Sequence, residues 1–326
     1  MSIRIARVIA LFFAVALIAF TNFARAQERK KLVIGMVAKS QSNPVFQAAY
    51  SGAKAAAKEL GQKYNADVTI DWQTPPDEDA QKQAQAIEQL TNSGAAGIIV
   101  SCSDANTVTP AINKAVAAGV PVMTFDSDAP RSKRFCCYGT DDETCGQKVM
   151  QYLAQAMGDK GTIAILAGNQ SAPNLQKRVK GVKEELAKHP NMKLLDDGIF
   201  YHTETPEDAV HAVNQAQTTH PDIEGWAMIG GWPLFAKNAL RWQPGAVKVV
   251  SVDALPPQLL YLESGHVQVL LAQDCYGWGY KSVDVLLNKL LNNQDPKEKK
   301  LVDPLTVVTK ENAKEFGKQW DKWLGK

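Results

Sequence analysis

The residues best suited to chemistry in this sequence do not form a catalytic pattern. There is no G-x-S-x-G, H-E-x-x-H, G-x-G-x-x-G or G-x-x-x-x-G-K-S/T, so neither an activated serine, a zinc-binding helix nor a glycine-rich phosphate loop is signalled. Of the five histidines, His189 and His220 each precede a proline and read as helix ends, where an imidazolium complements the helix dipole. Cys136-Cys137 followed by Cys145 offers neither a C-x-x-C pair nor a flanking histidine, so no zinc site is expected. A bridge from Cys145 to Cys136 or Cys137 and burial as small apolar side chains both remain open for these thiols. No metal, no cofactor and no catalytic residue is expected.

What the sequence does offer is a set of polar and aromatic residues just past short apolar runs. They are Ser40, Asn43 and Phe46; Trp72 and Gln73; Ser103 and Asp104; Asp126 and Asp128; then Asn169 and Gln170, Trp232, Asp253 and Gln273. Carboxylates and amides exchange paired hydrogen bonds with hydroxyls, and Phe46 and Trp232 offer flat apolar faces. That mixture suits a small polyhydroxylated ligand. Each residue also has a plain structural role: Asn43-Pro44 is an ordinary helix start, Asp104 and Asp126 are possible caps, and Trp72 is a candidate core residue.

The elements that must position these side chains alternate. Strands are expected at Leu32–Val37, Val68–Trp72, Ile98–Ser101 and Val122–Phe125, with helices from Pro44 to Leu60, Asp77 to Leu90 and Thr107 to Ala118 between them,. After Asp141 the pattern restarts. A helix to Met157 precedes strands at Thr162–Leu166, Lys193–Phe200, Trp226–Ile229, Val247–Val252 and Val267–Ala272, interleaved with helices at Leu175–Lys188, Glu207–Gln217, around Leu234–Arg241 and at Pro257–Glu263. A helix at Tyr280–Leu291 and a docked surface helix in the tail from Lys310, carrying Trp320 and Trp323, complete the reading. Such alternation predicts an α/β fold of two Rossmann-like lobes, each a parallel sheet flanked by helices. Ligands of open parallel sheets sit beyond the carboxyl ends of the strands, so two facing lobes make a cleft.

Arg4 and Arg7, the apolar run Val8–Phe20 and Ala24-Arg25-Ala26 form a signal-peptide pattern with cleavage after Ala26. Thirteen apolar residues rise only about 20 Å as a helix, short of a bilayer core of roughly 30 Å. The mature chain is therefore expected to be soluble and outside the cytoplasm. The 36 basic and 34 acidic residues of the full sequence give a charge of +2, which becomes −1 once the three leader arginines are gone, and this gives no footprint for nucleic acid.

The leader, the first strand and Ser42-Asn43-Pro44-Val45-Phe46 before an Ala-rich helix resemble the type I periplasmic solute-binding proteins of ABC transporters, especially the ribose-binding-like sugar group. Gly119-Val120-Pro121-Val122 leading to Asp126, Gly139-Thr140-Asp141-Asp142, His220-Pro221-Asp222, Val249–Asp253 and Ala272-Gln273 follow in the same order. The resemblance implies ligand contacts from Asn43, Phe46, Asp126, Asp253 and Gln273. It also implies three crossings between lobes, near Thr140, Gln273 and Asp303, so that residues 27–140 and 274–303 form one lobe and 141–273 and 304–326 the other. The implied partners are a small solute such as a monosaccharide or polyol and an inner-membrane ABC permease, with the protein monomeric. The full expected contact set adds Trp72, Asp128, Gln170, Arg178 and Trp232. Departures from the family pattern are Val45 for its first aromatic, Ser127 for the arginine after the aspartate, Gln176 for the second-lobe arginine, with Arg178 two residues on, and Gly231-Trp232 for an Asn-Asp pair. These argue against simple transfer of ribose; hexoses, polyols, deoxy sugars or less hydroxylated cyclic compounds fit as well. A sensory receptor of the same fold, the same fold binding a nucleoside or aromatic compound, and an α/β enzyme using Asp126 or Asp253 as base are the rival readings.

Overall fold

Short runs of β-branched and aliphatic residues set the strands, and polar caps set the helix starts between them. In a computed structural model describing residues 29–323, the chain runs β1 (Lys30–Val37), α1 (Pro44–Lys63), β2 (Ala66–Trp72), α2 (Ala80–Asn92), β3 (Gly97–Val100), α3 (Ala105–Ala117), β4 (Val122–Phe125) and β5 (Cys136–Gly139). Asn43, Asp79 and Asp104 accept from the backbone amides of Val45, Lys82 and Thr107 and so start α1, α2 and α3,. The second series is α4 (Asp142–Met157), β6 (Gly161–Gly168), α5 (Pro173–Leu186), β7 (Met192–Tyr201), α6 (Pro206–Thr219), β8 (Gly225–Met228), a 3₁₀ turn at Trp232–Phe235, β9 (Lys248–Val252), α7 (Pro256–Ser264) and β10 (Val269–Ala272). Then come α8 (Cys275–Asn292), β11 (Lys300–Val302), β12 (Thr306–Val308) and α9 (Ala313–Trp323). The expected leader lies outside the described residues.

The strands form two six-stranded sheets, in the orders β11-β5-β4-β3-β1-β2 and β12-β10-β9-β8-β6-β7. All pairings are parallel except β10 with β12. Each sheet and its helices form one lobe of the α/β architecture that the alternation predicts. The chain passes from one sheet to the other after β5, after β10 and after β11. Tyr138, Asp274 and Asp303, one beside each passage, all meet Lys281 of α8: its Nζ is 2.8 Å from the Tyr138 hydroxyl, 3.2 Å from Asp274 and 2.9 Å from Asp303.

Both lobes join two helices through facing glycines. A Cβ at Gly52 of α1 would lie 2.0 Å from the Tyr276 carbonyl oxygen, and one at Gly279 of α8 1.8 Å from that of Ala49. In the second lobe the same pairing recurs: Gly146 of α4 against the Arg178 carbonyl oxygen at 1.9 Å, and Gly181 of α5 against that of Glu143 at 2.1 Å. Only a residue without Cβ permits backbones this close.

Two expectations are corrected, and the alternative left open for the cysteines is decided. The helix around Leu234–Arg241 is only the turn Trp232–Phe235, because Asn238 takes a left-handed backbone with φ of 54° and the loop is pinned by the Tyr261 hydroxyl to Ala236 O and Ala239 N. The long helix α8 starts at Cys275 rather than Tyr280, capped by Asp274. No cysteine is bridged: all five are free and buried, since Cys136 and Cys137 belong to β5 of the first sheet while Cys145 sits in α4, in the core of the second lobe. The short strands β5, β11 and β12 escape a reading based on apolar runs. The tail helix is present, with Trp320 buried and its indole N–H donating to Ala254 O at 2.9 Å.

Candidate functional site

The carboxyl ends of the strands from both sheets face one another and enclose a narrow cavity of about 30 Å³. The first lobe contributes Lys39 from the end of β1, Asn43 and Phe46 from the start of α1, Asp126 from the end of β4 and Trp278 from α8. The second contributes Asn174 and Arg178 from α5, Glu204 from the loop before α6, Trp232, Asp253 from the end of β9 and Gln273 from the end of β10.

Asp126 and Asp253 occupy equivalent places, each just past the fourth strand of its lobe, and each in the left-handed region with φ of 54° and 72°. An L-residue adopts this conformation at a cost of about 1 kcal/mol or more. Here each backbone N–H is held by the next strand, Asp126 by Tyr138 O and Asp253 by Leu271 O. Asp126 accepts from the Ser101 hydroxyl at 2.8 Å and, across the cleft, from the Asn174 amide at 3.1 Å. Asp253 accepts from the Gln273 amide at 2.8 Å, and burial pushes its pKa up, opposed by that amide.

Arg178 is 3% exposed and every nitrogen has a partner: Nε donates to Asp142 at 3.0 Å, Nη1 to Ile229 O at 3.1 Å and Nη2 to Gln273 Oε1 at 2.7 Å. It stands 4.0 Å from Asp126. Burial raises Asp142 to about 6, against the pull of Arg178. Lys39, 2% exposed, reaches across the cleft to Glu204 at 2.6 Å and lies 3.4 Å from Glu78. Burial opposes its charge, but the two carboxylates more than offset this and hold it above the usual lysine range. Burial pushes the Glu204 carboxyl up, against the pull of Lys39. A third link across the cleft is Asn169 to Glu78 at 3.2 Å.

Trp232 lies in a slot made by Gly168 and Gly230, where an added Cβ would come within 2.6 Å and 2.3 Å of its ring. Its other neighbour is His202, edge-on at 4.8 Å between centroids. Phe46 packs on Trp278 at 6.2 Å. The cavity is thus walled by aromatic rings and floored by hydrogen-bonding groups, an arrangement that grips a small ring bearing hydroxyls. Among the described residues no group of three or more His, Cys, Asp or Glu is placed to hold a metal ion.

Seven of the ten expected contact residues meet in this cavity: Asn43, Phe46, Asp126, Arg178, Trp232, Asp253 and Gln273. Three do not. Trp72 ends β2, an edge strand, and stacks on Tyr50 with centroids 4.1 Å apart. Asp128 is turned to Arg134, at 2.6 Å from Nη2, and to the Thr124 hydroxyl at 2.6 Å. Gln170 lines a neighbouring cavity with Glu78, Asn169 and His202. Sequence reasoning missed Lys39, Asn174, Glu204 and Trp278. Lys39 adjoins the strand-end residue Ser40 and was within reach of the same logic, whereas Trp278 arrives on a helix from the far end of the chain.

A family model described as a periplasmic binding protein domain matches residues 34–294. The chain belongs to the periplasmic binding protein family. As a family member it is 26% identical over 299 residues to the ribose import binding protein of Escherichia coli, covering 90% of this chain and 96% of that one. It is 27% identical over 227 residues to a D-apiose import binding protein of Paraburkholderia graminis, 69% of either chain. Its fold matches an ABC transporter solute-binding protein from Burkholderia graminis, crystallised with D-arabinose, at a TM-score of 0.78 and 27% identity over 88% of this chain and 98% of that one. These relatives are binding proteins of the sugar ABC type, which agrees with the two-lobed fold and the resemblance seen in the sequence.

Proposed function

We propose that this protein captures a small carbohydrate-like solute, a monosaccharide or polyol, between its two lobes and delivers it to an ABC permease. The observation that carries the reading is the cavity itself: equivalent aspartates from the two sheets, Asp126 and Asp253, face a space walled by Phe46, Trp232 and Trp278. Closure is a hinge motion favoured by contacts that exist only when the lobes meet around the ligand. We read the lobes as 27–140 with 274–303 and 141–273 with 304–326, the protein as a monomer without catalytic activity, and its place as the periplasm after cleavage at Ala26.

Thermal unfolding of the mature protein against about 1 mM each of pentoses, hexoses, polyols, nucleosides and aromatic acids tests this; a micromolar ligand adds about 4 kcal/mol at a thousandfold excess. A shift of several degrees with one sugar or polyol, abolished in Asp126→Ala, is expected. A response confined to nucleosides or aromatic acids overturns the carbohydrate assignment. An unchanged affinity in Asp126→Ala removes that residue from the site.

A further inference from the structure

The charges around the cavity do not balance. Lys39 and Arg178 are its only basic groups among the described residues, and both are already committed, Lys39 to Glu204 and Glu78, Arg178 to Asp142, Gln273 and a backbone carbonyl. Against these two cations stand five carboxylates, Glu78, Asp126, Asp142, Glu204 and Asp253, whose side chains are at most 15% exposed where they meet a cation and, for Asp253, 6% over the whole residue. Among the described residues no basic side chain lies within 4 Å of Asp253. Asp126 meets Arg178 only at 4.0 Å. An uncompensated carboxylate away from water is strongly unfavourable.

Hydrogen-bond capacity is left on both sides: the Oδ1 acceptor of Asn174, 4% exposed, and the indole N–H of Trp278, 1% exposed, both line the cavity without a partner. The charged donors, those of Lys39 and Arg178, are spent on protein acceptors. A site with surplus negative charge and no free cation is complementary to a ligand carrying positive charge.

Resting on the reading above that the ligand is carbohydrate-like, we propose that it bears an amine: an amino sugar or amino polyol whose ammonium lies against Asp253 and Asp126, with Asn174 taking a further donor. The same charge rejects sugar acids and sugar phosphates. The upward displacement that burial imposes on Asp253 is in keeping with a carboxylate awaiting a cation,.

Calorimetric titration with matched sets decides it. Each set holds a neutral sugar, its 2-amino-2-deoxy counterpart and its uronic acid, in the gluco, galacto and manno configurations. In one configuration the amino sugar should bind at least about tenfold more tightly than the neutral sugar, and the uronate not at all, because charged hydrogen bonds exceed neutral ones by this order. In Asp253→Asn the amine-to-neutral ratio of that set should fall by about tenfold. Should that variant not fold, Asn174→Asp should raise the ratio instead. Neutral sugars binding as tightly as amino sugars, or a uronate binding, overturns the amine and leaves the carbohydrate reading intact. Silence of every carbohydrate alongside a response to nucleosides or aromatic acids overturns both.

Discussion

His202 shows how much a single buried side chain can say about stability. It is 8% exposed, its two ring nitrogens have no partner, and its ring abuts Trp232. Burial lowers its pKa from 6.5 to about 4. The unfolded chain therefore takes up a proton below pH 6.5 that the folded chain refuses until about pH 4. Stability from this group is complete above pH 6.5 and is lost as the pH falls toward 4, amounting to about 3 kcal/mol. Urea unfolding at pH 7 and pH 4 should show the wild type losing about 3 kcal/mol more than His202→Asn; parallel losses would sink the assignment. At this scale the sequence was partly legible. Asp126 and Asp253 were visible because they follow apolar runs of strand length. Trp72 and Asp128 satisfied the same criterion and misled, since strand order and the local partner Arg134, which decide whether a strand-end residue faces the cleft, are not written in neighbouring positions.

At the scale of elements, α5 joins packing to binding. Its first turns carry Asn174 and Arg178 into the cavity, and its Gly181 lies against the backbone of α4. In Gly181→Ala the helices must separate, at a cost of roughly 1–3 kcal/mol, and the two side chains move with α5. Both melting temperature and ligand affinity should fall, while Lys183→Ala, on the exposed face of the same helix, leaves both unchanged. A loss of stability with affinity intact would show that the cavity does not depend on this seat. The strands and helices themselves were readable from periodicity and caps, within a few residues. The exceptions were short strands at sheet edges and the Trp232–Phe235 turn, where tertiary hydrogen bonds override an apolar, helix-like stretch.

Across the whole molecule the two lobes are held together by Lys39–Glu204, Asn169–Glu78 and Asn174–Asp126. The first of these is the only link among the three that joins opposite charges. Lys39→Met leaves Glu204 buried without its cation, a loss of about 3–5 kcal/mol for a pair broken on one side. The variant should favour separated lobes: a larger radius of gyration by small-angle X-ray scattering without ligand, and affinity weakened by at least about tenfold. Identical scattering curves for variant and wild type would deny this pair a role in closure. That two similar lobes face each other followed from the repeated alternation of strand and helix. Which groups would meet across the gap did not, because the partners lie 165 residues apart in Lys39–Glu204 and 91 in Asn169–Glu78.

The returns of the chain also constrain how the molecule is made. The first lobe holds α8 against α1 and β11 on the edge of its sheet, so its core needs Trp278, Leu286 and Leu287 packed beside Met36, Phe46 and Phe125. During synthesis, residues 29–139 emerge first yet cannot bury that face until residues 275–302 arrive. Nascent polypeptide thus stays unfinished until nearly all of it has left the ribosome. A ribosome-stalled chain ending near residue 270 should be protease-sensitive in its first lobe, whereas one carrying, past residue 302, a linker long enough to clear the exit tunnel should resist.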